Sequence, residues 1–166
     1  MLEVLAAAAT LTAEVFTVES SDLAAVEVAM KQMTGAVRVS SQWAVEPVMK
    51  VLEMERLPVN WDGYGSPPVS NEVASRAIII LNRLGSLGFE GLSAPSVCPT
   101  QGGGVIFEWA RGGRELSISV KPDLSAHYLK TEAGEPFEED AISPGATGRL
   151  RETVSWLLLA AVAQAA

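Results

Sequence analysis

The sequence predicts an α+β fold: an antiparallel four-stranded β-meander packed against three to four helices, with a βαβ unit expected at the N-terminus. Two patterns and one bound predict it. Between Ser96 and Thr131, hydrophobicity alternates with period two in four short runs separated by turns that carry glycine or proline. On either side of that stretch, apolar residues recur at the three- and four-residue spacing of helices. At 166 residues, with 48% apolar and 19% charged side chains, the chain has the length and composition of one folded core.

The first expected strand is TAEVFTV (12–18), rich in β-branched and aromatic types. Ser20 or Ser21 then caps a helix in which Leu23, Val26, Met30 and Met33 share a face. Gly35 closes it, and AVRVS (36–40) returns as a strand, completing a βαβ crossover. Residues 1–44 are read as an N-terminal extension and residues 45–166 as the α+β core domain. The next helix is expected from Gln42 to Leu57, with Val45, Val48, Met49, Leu52 and Leu57 on one side. Pro47 fits there only near the first turn, where its missing N–H has no partner to lose.

The stretch PVNWDGYGSPP (58–68) follows, and Ser70 caps a further helix from Asn71 to Leu84, ended by Gly85 and Gly88. The four meander strands are SVCPT, VIFEWA, RELSISV and HYLKT, joined through QGGG, RGG and KPDLSA. Leu116, Ile118 and Val120 alternate with Glu115, Ser117 and Ser119, as in a sheet with one wet face. The acidic segment 132–147 is expected to be a loop. A last helix runs from about Gly148 to Ala163, with Leu150, Val154, Leu157, Leu158 and Ala161 inward.

The charge pattern narrows the partners. Net charge is −8, which opposes direct nucleic-acid binding because phosphate contacts need clustered Lys and Arg. Residues 58–131 carry six acids and six bases, whereas residues 132–140 carry five acids and no base. No basic region precedes the apolar start MLEVLAAAATL, and the thirteen-residue run VSWLLLAAVAQAA is too short to span a bilayer. The expected location is the cytoplasm, with no membrane partner. A single cysteine, Cys98, rules out an intramolecular disulfide.

Catalytic chemistry is sparsely supplied, and no catalytic residue, metal ligand or cofactor is assigned. His127 is the only histidine and reads as an ordinary sheet residue, and Cys98, between an apolar neighbour and a proline, as a structural thiol, although both fall on meander strands where a thiol–imidazole dyad is conceivable. There is no G-x-S-x-G elbow, and Gly102–Gly104 lack the Lys-Ser/Thr of a phosphate loop. Counting from Asn60, a calcium loop would place Asp62 and Gly65 correctly but Tyr64 and Asn71 at ligand positions, with no glutamate in register. Glu108 and Glu115 flank the RGG turn, with Arg111 and Arg114 expected close enough to make a solvated charge cluster.

The pair LPVNWDGYGSPPVSNE (57–72) and GGVIFEWARGGRELSISVKPD (103–123) resembles a group of small bacterial proteins without assigned function. The likeness covers about residues 45–131. It implies the helix, W-D-G-Y-G loop, helix and meander order, and it brings no catalytic assignment. Within the loop, Asn60 and Asp62 are suited to Asx-turns, Gly63 and Gly65 to left-handed backbone, and Trp61 to a plug over the core with its N–H on a carbonyl.

Three functions follow as expectations. The first is a non-enzymatic acidic interaction protein of a bacterium or phage that binds and modulates a protein partner, a basic one by charge, in the manner of an inhibitor, antitoxin or immunity protein. Its binding residues are taken as Trp61, Asp62, Tyr64, Glu108, Trp109, Arg111 and Arg114, and its apolar terminal helices leave room for a homo-oligomer. The second is a small-ligand domain with a pocket at the Trp61–Tyr64 loop. The third is a hydrolase using carboxylates such as Asp62 and Glu108 with a metal.

Overall fold

A computed structural model of the chain describes residues 42–143 and 145–163; the expected βαβ unit lies outside the described residues. A 3₁₀ turn at Gln42–Ala44 leads into helix α1 (Val45–Met54), shorter than the Gln42–Leu57 helix expected. Pro47 lies in the first turn of α1 and is buried, so its ring adds to the core without breaking the hydrogen-bond ladder. Val48, Val51, Leu52 and Met54 complete the inward stripe.

Helix α2 (Asn71–Ser86) begins at the Ser70 cap, whose hydroxyl accepts the Val73 N–H at 3.3 Å. It runs through Gly85, and the chain turns at Gly88, where φ is +62°. Val73, Ala74, Ala77, Ile78, Ile80, Leu81 and Leu84 are all buried. That stripe is wide enough to touch both α1 and the sheet, while Ile79 between them stays exposed.

The sheet has five strands in chain order, β1 (Ser96–Thr100), β2 (Gly104–Arg111), β3 (Arg114–Val120), β4 (Ala126–Glu132) and β5 (Glu135–Ala141), each antiparallel to the next. The fifth strand corrects the expected loop at 132–147. Its five acids masked a strand that gains its place from pairing with β4 rather than from burial. Helix α3 (Thr147–Ala163) follows it. Three α-helices and one 3₁₀ turn are the helical elements among the described residues. None is long and apolar enough to cross a membrane.

All three helices pack on one face of the sheet. That face carries Val97, Val105, Phe107, Trp109, Leu116, Ile118, Val120 and Tyr128, which meet Leu150, Val154 and Leu157 of α3 among others. The alternation read from the sequence is therefore the physical division between a dry and a wet face.

The β4–β5 register slips between Lys130 and Thr131: Lys130 pairs with Glu138 and Thr131 with Pro136, leaving Phe137 as the bulged residue. The bulge turns Phe137 toward α3, where its ring stacks on Trp156 at 6.0 Å and 5°. Glu138 points the same way and accepts both the Tyr128 hydroxyl and, at 2.9 Å, the Lys130 ammonium. Lys130 is 3% exposed, so this pairing is what makes its burial tolerable. Arg114 lies over the Trp156 ring at 4.9 Å and donates to the Trp156 carbonyl at 2.8 Å.

The outer rim of β5 is blunted. The Ile142 N–H bonds to the Ala126 carbonyl, so alternation turns the Ala141 and Glu139 backbones away from β4. The Ala141 N–H is already taken by Asp140 Oδ1 at 2.7 Å, and Pro136 has none to offer.

Candidate functional site

The loop at 58–68 is built around Ser66, a residue the sequence did not single out. Ser66 is 5% exposed. Its hydroxyl donates to Asp62 Oδ2 at 2.6 Å and accepts the Gly102 N–H at 3.2 Å. Asp62 Oδ1 accepts the N–H groups of Tyr64 (2.9 Å) and Ser66 (3.2 Å), the Asx-turn expected of it. These bonds favour the anion, the Ser66 hydroxyl most strongly, and hold the Asp62 carboxyl below the usual aspartate range.

Asn60 sits in the left-handed region at φ +67°, a conformation asparagine tolerates. Its N–H donates to the Ser66 carbonyl at 2.7 Å, and its side-chain oxygen accepts the Gly65 N–H at 2.6 Å. The Trp61 indole N–H reaches the Pro67 carbonyl at 3.1 Å, so the expected bond to a carbonyl forms inside the loop. The ring is only half-buried and does not appear among the core side chains. It braces the proline exit instead of plugging the helix–sheet core.

The loop rests on the β1–β2 turn. Gly103 has φ +90°, and a Cβ there would lie 3.1 Å from the Pro68 carbonyl oxygen and 3.2 Å from Pro67 Cγ. The two glycine-rich stretches of the sequence are thus one structural unit, with glycine required where they touch. From this base Tyr64 projects 84% exposed and Val59 74% exposed.

The other expected site residues lie elsewhere. Seven residue steps along β2 separate Gly104, at the end beside the loop, from Arg111, about 23 Å at the usual strand rise. Trp109 is 4% exposed, and its indole N–H donates to the Ser93 carbonyl at 2.9 Å, which places it in the core. Arg111 donates to the Gly91 carbonyl at 2.8 Å, and Arg114 to Glu132 at 2.8 Å and to Trp156.

Glu108 and Glu115 do not join these arginines, contrary to the expected charge cluster. The even–odd alternation of β2 and β3 sends both arginines to the helix side and both glutamates to the other. On that other face a shallow depression of about 430 Å³ is lined by Ser96, Glu108, Glu115, Ser117, Leu129 and Thr131, among others.

Cys98, Ile106, Ser119 and His127 occupy one cross-strand row. Three strand spacings, about 14 Å, separate the thiol-bearing position from the imidazole-bearing one, too far for a dyad. Among the described residues, no group of three or more His, Cys, Asp or Glu side chains is placed to hold a metal ion. No family model, curated protein or solved structure matches this chain.

Proposed function

We propose that this chain is a non-enzymatic protein-binding module that modulates its partner, in the manner of an inhibitor, antitoxin or immunity protein, and that the 58–68 loop is its contact element. The reading rests on Tyr64, 84% exposed at the crest of a loop whose turn is fixed by internal hydrogen bonds. A large amphipathic side chain on a pre-ordered support loses little entropy on docking, which is why tyrosines dominate contact energetics. Val59 of the same loop is also exposed, and Asn60, Asp62 and Ser66 act as the loop's internal frame.

The test is capture of a stoichiometric partner by the full-length chain from cells of its source, followed by native mass measurement. Tyr64→Ala is expected to lose the partner, with binding weakened at least about tenfold, and to keep its unfolding midpoint within the range of a surface change. Undiminished capture by Tyr64→Ala overturns the loop as the contact element.

A further inference from the structure

The five strands sort their charges by side. Their arginines and their lysine, Arg111, Arg114 and Lys130, all point to the helix side, where each is bonded within the chain. The opposite face carries Glu108, Glu115 and Glu139, no Lys or Arg, and His127 as its one imidazole. All three glutamates are exposed, and none of their carboxylates takes part in a hydrogen bond or ion pair among the described residues. Ser96, Glu108, Ser117, Leu129 and Glu139 form one cross-strand row, and Glu115 sits one row away on β3. Glu108 and Glu139 are therefore about 14 Å apart, three strand spacings.

The rest of this face is low in relief. Ser96, Ala110, Ser117, Ser119 and Ala141 are small, Ile106 and Leu129 supply apolar ground, and the 430 Å³ depression opens between Glu108 and Glu115. Among the described residues, no helix covers it.

The geometry points to this helix-free face as a docking surface for a basic, partly apolar segment of another protein. This deepens the protein-binding reading, on which it rests, by naming the partner's chemistry and a second surface. Unpaired carboxylates spread over 14 Å are too far apart for one cation and match several Lys or Arg side chains on one segment. A second copy of the chain is a poor occupant, because its own net charge of −8 would set acid against acid. A nucleic acid is excluded by the sign of the field.

The experiment titrates the full-length chain at low salt with a synthetic peptide of arginine, leucine and alanine, and with an acidic peptide of the same design. Glu108→Gln/Glu115→Gln is compared with Glu53→Gln/Glu90→Gln, which removes the same charge from exposed positions off this face. The expected result is binding of the basic peptide only, weakened about fivefold by the first pair and less than twofold by the second. Amide resonances of Ser117 and Leu129 are expected to shift on titration. Equal weakening by both pairs, or no binding of the basic peptide, overturns the docking face. Peptide binding reads the face and partner capture by Tyr64→Ala reads the loop, so failure of the face and failure of the loop are read separately.

Discussion

Asp62 holds Ser66 twice, accepting its hydroxyl on one carboxylate oxygen at 2.6 Å and its backbone N–H on the other at 3.2 Å. The same hydroxyl receives the Gly102 N–H from the β1–β2 turn. One side chain therefore both closes the loop and ties it to the sheet. Ser66→Ala removes a donor and an acceptor together and strands a partly buried N–H. A loss of about 1–3 kcal/mol in urea unfolding is expected.

The same pair makes the loop acid-sensitive. The native carboxyl of Asp62 binds its proton more weakly than the unfolded chain does, chiefly because of the Ser66 hydroxyl. Its contribution is therefore present above the unfolded aspartate value of about 4 and is lost as pH falls through the lower native value. Urea midpoints measured from neutral pH down to about pH 2 are expected to fall more steeply for the natural chain than for Asp62→Asn.

Tyr128 sets the corresponding limit in alkali. Burial, reinforced by the hydrogen bond to Glu138, pushes its hydroxyl up to about 12. A raised native value means that stability is full below the ordinary tyrosine value of about 10 and is lost as pH rises through the native one. The chain has two tyrosines, so Tyr64→Phe leaves Tyr128 as the only phenol. Ultraviolet difference titration of that variant is expected to give one late step, moved to lower pH when Glu138 is replaced by Gln.

Thr153 offers a route to greater stability. It is 1% exposed on α3, and its hydroxyl has no hydrogen-bond partner among the described residues. Thr153→Val keeps the shape and removes the unmet polar group. A gain of about 1 kcal/mol, seen as a rise of about 3 °C in the unfolding midpoint, is expected.

The meander was legible because its alternation is strict and its turns contain glycine or Pro-Asp. Helix α2 was legible because Ser70 precedes a long apolar run. The fifth strand was not. Its hairpin turns at Ala133 and Gly134, both with positive φ, and alanine is not a residue from which such a turn is foreseen. Its acids suit an edge strand, yet in sequence they read as a solvated run.

The loop's internal bonding was foreseen at Asn60 and Asp62, since Asx-turns are local. Its seat on the β1–β2 turn was not, because that contact joins residues 36 apart. Ser66 carried no signal beyond its place between a glycine and two prolines. The outward aim of Tyr64, on which the functional reading rests, is a property of three-dimensional packing alone.

Antiparallel sheets polymerise when a rim still offers donors to an incoming chain. On β5 one rim position is a proline, one N–H is spent on a neighbouring carboxylate, and the bulged phenylalanine breaks the regular repeat. The strand behaves as a chain terminator for the sheet. Edge-to-edge pairing at β5 is therefore disfavoured, and the first engineered change to reverse that would be at Pro136 or Asp140.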